Sequence, residues 1–205
     1  MLFLSLRDRI DALPETERIA RRMLYTDYEW QNSWELNAWP HQLPPTYSDW
    51  RSWTVVGGRG TGKTTAGVKW VESKMGIPGA KTLVILHHQK EINRIPKVFW
   101  EDLTRAGNPG NWRIQQREVG TGASYVLVGT QSGYKTTVEL WTEARVFDGM
   151  RGGHNAFDYV WADEITDAVQ VEAAFPFVTQ FCFTEPVKLS ADTIVSRAGK
   201  ERTLS

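Results

Sequence analysis

The run Gly57-Gly58-Arg59-Gly60-Thr61-Gly62-Lys63-Thr64 constrains this chain more than any other segment. It satisfies G-x-x-x-x-G-K-[ST], follows the apolar stretch Ser52 to Val56, and opens Thr64 to Lys74, whose apolar residues have helical spacing. Glycines between a strand and a helix let backbone N–H groups curl round a polyphosphate, and the helix adds the positive end of its dipole. Lys63 would reach the outer phosphates as a point charge, Thr64 would offer its hydroxyl to Mg²⁺, and Thr65 belongs to the same turn. Arg59 would add a second cation beside the phosphates; a solvated arginine at a loop tip is the competing reading.

A second motif fits the first. Tyr159-Val-Trp-Ala-Asp163-Glu164 is an apolar strand ending in two acids. Asp163 at the strand end would hold the Mg²⁺ water shell, and Glu164 could polarise an attacking water as general base. Acids also gather at helix starts for the dipole alone, so it is the buried strand before the pair that gives it weight.

Three further pieces are open to two readings each. Gln42, in Trp39-Pro40-His41-Gln42, could read an adenine edge through its amide or be a plain loop glutamine. Arg151, before Gly152-Gly153, could reach a neighbouring subunit's γ-phosphate as an arginine finger or be solvated. Thr184, in Thr184-Glu185-Pro186, could sense the γ-phosphate and pass its loss onward, or close a strand. His87-His88 ends a strand; neighbours on a strand face opposite ways, so the pair makes poor metal ligands.

Alternation of strand and helix predicts an α/β fold, a mostly parallel sheet with helices on both faces. Strands are expected at Ser52 to Val56, Thr82 to Leu86, Tyr159 to Ala162 and Phe181 to Phe183, with a hairpin from Ser124 to Trp141 turning through Gly129 and Gly133. A helix is expected from Glu91 to Thr104, interrupted or restarted at Pro96. Ahead of these, Leu6, Ile10, Leu13, Ile19 and Met23 mark a short helical segment. The stretch from Asp27 to Trp53 dissolves into Trp, Asn and Pro and reads as an extended connection. The expected division is an N-terminal helical or lid segment over 1–45 and a P-loop core over 46–205.

The residues resemble a known family. Gln42-Leu-Pro-Pro45, Asp49-Trp-Arg-Ser-Trp53 and the run from Gly57 to Trp70 are similar to the N-terminal ATPase of the large terminase subunit of tailed bacteriophages. Met150-Arg-Gly-Gly-His154 followed by Tyr159 to Ile165 resembles that family's approach to its acidic motif. The similarity is dense over 39–70 and 148–167 and thin elsewhere.

The resemblance implies a P-loop NTPase of ASCE, RecA-like type that hydrolyses ATP with Mg²⁺ and drives double-stranded DNA into a procapsid. It implies a homo-oligomeric ring, a pentamer, with the portal protein and small terminase subunit as partners, in the cytoplasm of an infected bacterium and transiently docked on the procapsid. Position by position, it makes Lys63, Thr64 and Arg59 the phosphate and metal residues, Asp163 the metal carboxylate, Glu164 the water activator, Gln42 the adenine reader and Arg151 the trans finger. Thr184-Glu185-Pro186 falls at the family's Thr-Thr-Pro coupling motif, with Glu in the middle.

Large terminases continue into a nuclease domain, and 19 residues after Pro186 leave no room for one, so no nuclease activity is expected. A fragment, a split gene and a relative without cleavage all fit. Competing functions are another ASCE ATPase, helicase-like or AAA+-like, and an ATP-binding assembly subunit without turnover. A GTPase is disfavoured because no Asn-Lys-x-Asp occurs.

Composition excludes more than it selects. Lys+Arg and Asp+Glu are balanced at 24 each, so charge names no partner, and the single Cys182 makes neither an internal disulfide nor a zinc site. No apolar run approaches the ~18 residues of a membrane span, and no membrane association is expected. The ten Trp are read chiefly as packing residues. Lys90, Arg94, Lys97 and Arg105 interleave with Glu91, Glu101 and Asp102 and read as a solvated helical face rather than a DNA grip.

Overall fold

Ser5 and Thr26 open helices by the same device. The Ser5 hydroxyl accepts the Asp8 N–H at 3.1 Å while the Asp8 carboxylate accepts the Ser5 N–H, also at 3.1 Å. Thr26 and Glu29 repeat the exchange at 3.2 and 2.8 Å. Such reciprocal caps satisfy otherwise orphaned donors of the first turn. They start α1 (Leu6–Asp11) and α3 (Asp27–Asn32), with α2 (Glu15–Arg22) between them and α4 (Trp34–Asn37) and a 3₁₀ turn (Pro40–Gln42) following. The stretch read as an extended connection is therefore largely helical: caps from Thr26 and Glu29 outweigh the diluting effect of its Trp, Asn and Pro content. Ile10, Trp30 and Leu36 form a small core there, with the Arg7 and Arg22 guanidinium groups 5.5 and 4.9 Å from the Trp30 ring. Ile19 and Met23 share the sequence stripe but are 50% and 79% exposed, because α2 buries no residue.

The structure, a computed structural model, describes residues 4–47, 49–119, 122–148, 157–165, 167–186, 195–197 and 200–202. After the helical segment come β1 (Ser52–Gly57), α5 (Lys63–Met75), β2 (Lys81–Leu86), α6 (Gln89–Arg105), β3 (Arg113–Val119), β4 (Gly122–Gln131) and β5 (Tyr134–Thr142). Then follow α7 (Glu143–Asp148), β6 (Tyr159–Asp163), α8 (Ala168–Ala174), β7 (Gln180–Pro186) and a short antiparallel pair, β8 (Val195–Arg197) with β9 (Lys200–Arg202).

Among the described residues, seven strands form one sheet in the order β1-β7-β6-β2-β5-β4-β3. The β1–β7, β7–β6, β6–β2 and β2–β5 pairs are parallel; β5–β4 and β4–β3 are antiparallel. Alternation along the buried strands assigns each side chain to a face. Val84, Leu86, Trp161 and Cys182 lie in one core with residues of α5 and α6, while Leu83, Ile85, Val160, Ala162, Phe181 and Phe183 lie in the other with residues of α7 and α8. Helices therefore cover both faces, as expected.

Two local features depart from the sequence reading. Helix α6 runs unbroken through Pro96. An interior proline costs about 3 kcal/mol. Ile92, Ile95 and Phe99 are fully buried on the same helix, each contributing roughly 1.5–3 kcal/mol, so packing wins. The antiparallel unit is also larger than the expected hairpin, since β3 joins it. Its turn is the two residues Ser132 and Gly133, at φ 48° and 83°, the left-handed pair that a type I′ hairpin requires.

Candidate functional site

Strands β1, β7, β6 and β2 run parallel, so their C-terminal ends share one edge, where ligands gather in open α/β sheets. Register fixes who meets whom. Val55 of β1 and Asp163 of β6 both pair with Thr184 of β7, while Gly57 pairs with Pro186, so Thr184-Glu185-Pro186 lies between the acidic strand and the start of the glycine-rich loop.

The loop and the acids meet directly. The Thr64 hydroxyl, in the first turn of α5, donates to Asp163 Oδ2 at 3.3 Å. The other oxygen, Oδ1, accepts from the Thr184 hydroxyl, which itself accepts the Trp161 indole N–H at 3.0 Å. Asp163 is 7% exposed, and burial pushes its carboxyl above the usual range; the adjacent Glu164 pushes the same way, while the Thr184 and Thr64 hydroxyls and the Arg94 charge pull back. Hydroxyl and carboxylate oxygens converging here form the hard donor set that suits Mg²⁺.

Lys63 Nζ donates to the Gly58 carbonyl at 3.1 Å and lies 3.9 Å from Glu164 Oε1. The Lys63 side chain is 8% exposed and that of Glu164 is 55% exposed, so a shielded cation faces an accessible carboxylate. Glu164 has φ 52°, a left-handed conformation costly for a side-chain-bearing residue, and its N–H donates to the Thr184 carbonyl at 2.8 Å. Strain of this kind is often concentrated at working positions.

Gln42 is buried against the loop. Its Nε2 donates to the Thr61 carbonyl at 3.1 Å and its Oε1 accepts the Trp39 N–H at 2.9 Å, while His41 Nε2 lies 3.3 Å from the same Thr61 oxygen. The 3₁₀ turn is thus tied to the phosphate loop by backbone-directed contacts that sequence alone could not specify. Gly62 shows how close the fit is: at φ 76°, a Cβ there would stand 2.0 Å from Gln42 Nε2.

Of the remaining candidates, Arg59, Gly58, Gly60 and Thr65 are exposed around the loop, with Thr61 bonded through its hydroxyl to the Gly58 carbonyl at 2.9 Å. Arg151 lies outside the described residues. His87 and His88 follow the end of β2, where strand alternation no longer applies, and their rings approach to 4.1 Å. His87 Nδ1 meets Glu143 Oε2 at 2.6 Å, and among the described residues no cluster of metal-binding side chains occurs. On α6, Arg94 pairs with Glu91 and Arg105 with Asp102, at 2.8 and 2.9 Å.

No family model and no curated protein matches the sequence. Solved structures do match by shape. The large terminase of a thermophilic bacteriophage aligns at TM-score 0.50 and 15% identity, over 75% of this chain and 36% of that one. The Thermus phage P74-26 large terminase ATPase domain aligns at TM-score 0.49 and 18% identity, over 77% of this chain and 73% of that one. The Phi-28 gp11 DNA packaging motor aligns at TM-score 0.41 and 15% identity, over 68% and 47%. The likeness to the first of these, with strand β7 lying between the loop strand β1 and the acidic strand β6, fixes the architecture. The chain has the P-loop ASCE fold found in large terminases of tailed bacteriophages.

Proposed function

We propose that this chain is the ATP-hydrolysing motor module of a viral DNA-packaging terminase, moving double-stranded DNA into a procapsid. The observation that carries the reading is the Thr64–Asp163 hydrogen bond at 3.3 Å, which brings the phosphate loop and the acidic strand to one edge. A glycine-rich turn alone binds phosphate; joined to a buried Asp and an adjacent accessible Glu, it is equipped to hydrolyse it.

In this reading Lys63 and the loop N–H groups hold the outer phosphates, aided by Arg59, and the first turn of α5 contributes its dipole. Thr64 and Asp163 hold Mg²⁺, which when bound neutralises charge on the phosphate oxygens. Glu164 takes the proton of the attacking water. Gln42 positions the loop from beneath and lies where it can meet the base. Arg151 would complete a neighbour's site, which makes a homo-oligomeric ring the working form, a pentamer by the family resemblance. Thr184 would report the state of the site to β7. The 1–45 segment would serve as a lid on the core. Portal protein, small terminase subunit and a transient place on the procapsid in the bacterial cytoplasm complete the proposal.

The test is the Mg²⁺-dependent ATP hydrolysis rate against protein concentration, with and without double-stranded DNA. A specific rate that climbs with concentration and rises further with DNA is expected. ATP binding without hydrolysis at any concentration would overturn the motor in favour of a binding subunit.

A further inference from the structure

The two oxygens of Asp163 are each held by a hydroxyl, and both hydroxyls are placed by the same indole. Trp161 sits two residues before Asp163 on β6, on the same face of the sheet, and is fully buried, as is Thr184. An indole N–H can only donate. The Thr184 oxygen must therefore accept from Trp161, at 3.0 Å, and its single hydrogen is left for Asp163 Oδ1; the alternative acceptor, the Ala162 carbonyl, stands at 3.5 Å. On its other side the indole carries α5. A Cβ on Gly67 would lie 2.1 Å from Trp161 Cε2 and 2.3 Å from Nε1, so the helix bearing Thr64 rests its backbone against this ring.

Building on the nucleotide reading above, we propose that Trp161 is a positioning residue for the metal-holding carboxylate. It acts through Thr184, whose hydroxyl it turns into a one-way donor, and through α5, whose seat on the ring sets the approach of Thr64. Partners that orient a metal-holding group tune its affinity without touching the ion. The Asp163 carboxylate plane is accordingly set by a residue that meets neither nucleotide nor metal.

The experiment compares Trp161→Phe, Thr184→Val, Thr184→Ser and the double Trp161→Phe/Thr184→Val in the full chain. ATP affinity is measured by equilibrium titration in excess Mg²⁺ and again in EDTA, alongside thermal melts and the indole N–H resonances of ¹⁵N-labelled protein. The ratio of the two affinities isolates the metal-dependent part. Trp161→Phe and Thr184→Val are each expected to lower that ratio about tenfold or more. Affinity in EDTA should hold, Thr184→Ser should keep the native ratio, and the double variant should lose no more than either single one. Thr184→Val should also shift the Trp161 indole resonance.

A native ratio in folded Trp161→Phe, equal losses with and without Mg²⁺, or additive losses in the double variant would overturn the assignment. Phenylalanine leaves space beside Gly67; if that variant fails to fold, a native ratio in Thr184→Val decides against it equally. Failure of the nucleotide reading looks different: the native chain would bind no ATP and Lys63→Ala would change nothing, overturning both.

Discussion

Thr64 and Asp163 are 99 positions apart in the chain and hydrogen-bonded at 3.3 Å. One opens the helix after the glycine-rich loop; the other ends a strand two places across the sheet, beyond β7. Their contact is the smallest unit that turns a phosphate cradle into a hydrolytic site.

Among the described residues, Lys63 is the buried cation of the loop, its ammonium bonded to the Gly58 carbonyl. Lys63→Ala removes charge-assisted contacts worth roughly 1.5–3 kcal/mol, so ATP affinity should fall about ten- to a hundredfold. Isothermal titration with ATP measures it, and an unchanged affinity would remove the loop from the site.

Glu164 combines an accessible carboxylate with a left-handed backbone at φ 52°. Glu164→Gln should keep ATP binding and abolish turnover, which single-turnover hydrolysis would show. The backbone makes a separate prediction. Glu164→Gly should be more stable than Glu164→Ala by about 1 kcal/mol, because only glycine adopts that φ without strain. Equal denaturation midpoints for the two would mean that the strain is not there.

Gly67 has no room for a methyl group: its Cβ would enter the Trp161 ring at 2.1 Å. Gly67→Ala should therefore destabilise the fold by about 1–3 kcal/mol, although alanine is the better helix former. Urea unfolding distinguishes the two effects by sign.

Glu72 faces Lys69, with Asp102 and Arg105 beside it; Lys69 Nζ meets Glu72 at 2.8 Å and Asp102 at 2.6 Å. Burial pushes the Glu72 carboxyl up from 4.5 to about 7, against the pull of Lys69. The folded chain then keeps a proton that the unfolded chain releases, so this group's contribution falls as pH rises through that window. The loss is on the order of 3 kcal/mol at most. Glu72→Gln should flatten the decline between about pH 5 and pH 8 in denaturant midpoints; an unaltered slope would place the titration elsewhere.

Arg151 is proposed to act on a neighbour's nucleotide. Doping Arg151→Ala subunits into native ones should depress hydrolysis by more than their share, since each removes activity from a site it does not itself carry. A proportional loss would mean that the arginine acts within its own subunit or not at all.

The α/β class, the strand–loop–helix unit, the acidic strand and the hairpin were legible in the order of residues because each rests on local chemistry. Glycines must sit where the chain turns round a phosphate, buried strands must be continuously apolar, and a helix must repeat its apolar residues every three to four positions. Capping was equally local, yet Thr26 and Glu29 were hidden by the Trp and Pro content around them, and α3 was missed for that reason. Pro96 misled in the opposite direction, since its cost is local and the burial that offsets it is not.

What lay beyond the sequence was everything set by strand order. Nothing near Trp161 or Thr184 along the chain says that an indole will donate to a hydroxyl 23 positions away, or that Gly67 will lie against that ring. The same holds for Gln42, whose buried amide meets the Thr61 carbonyl 19 positions on. Residue types determine what each group can donate, accept or hold. Only the sheet, by placing β7 between β1 and β6, decided which of those groups would meet, because long-range register arises from packing two faces at once and not from any one segment's preferences.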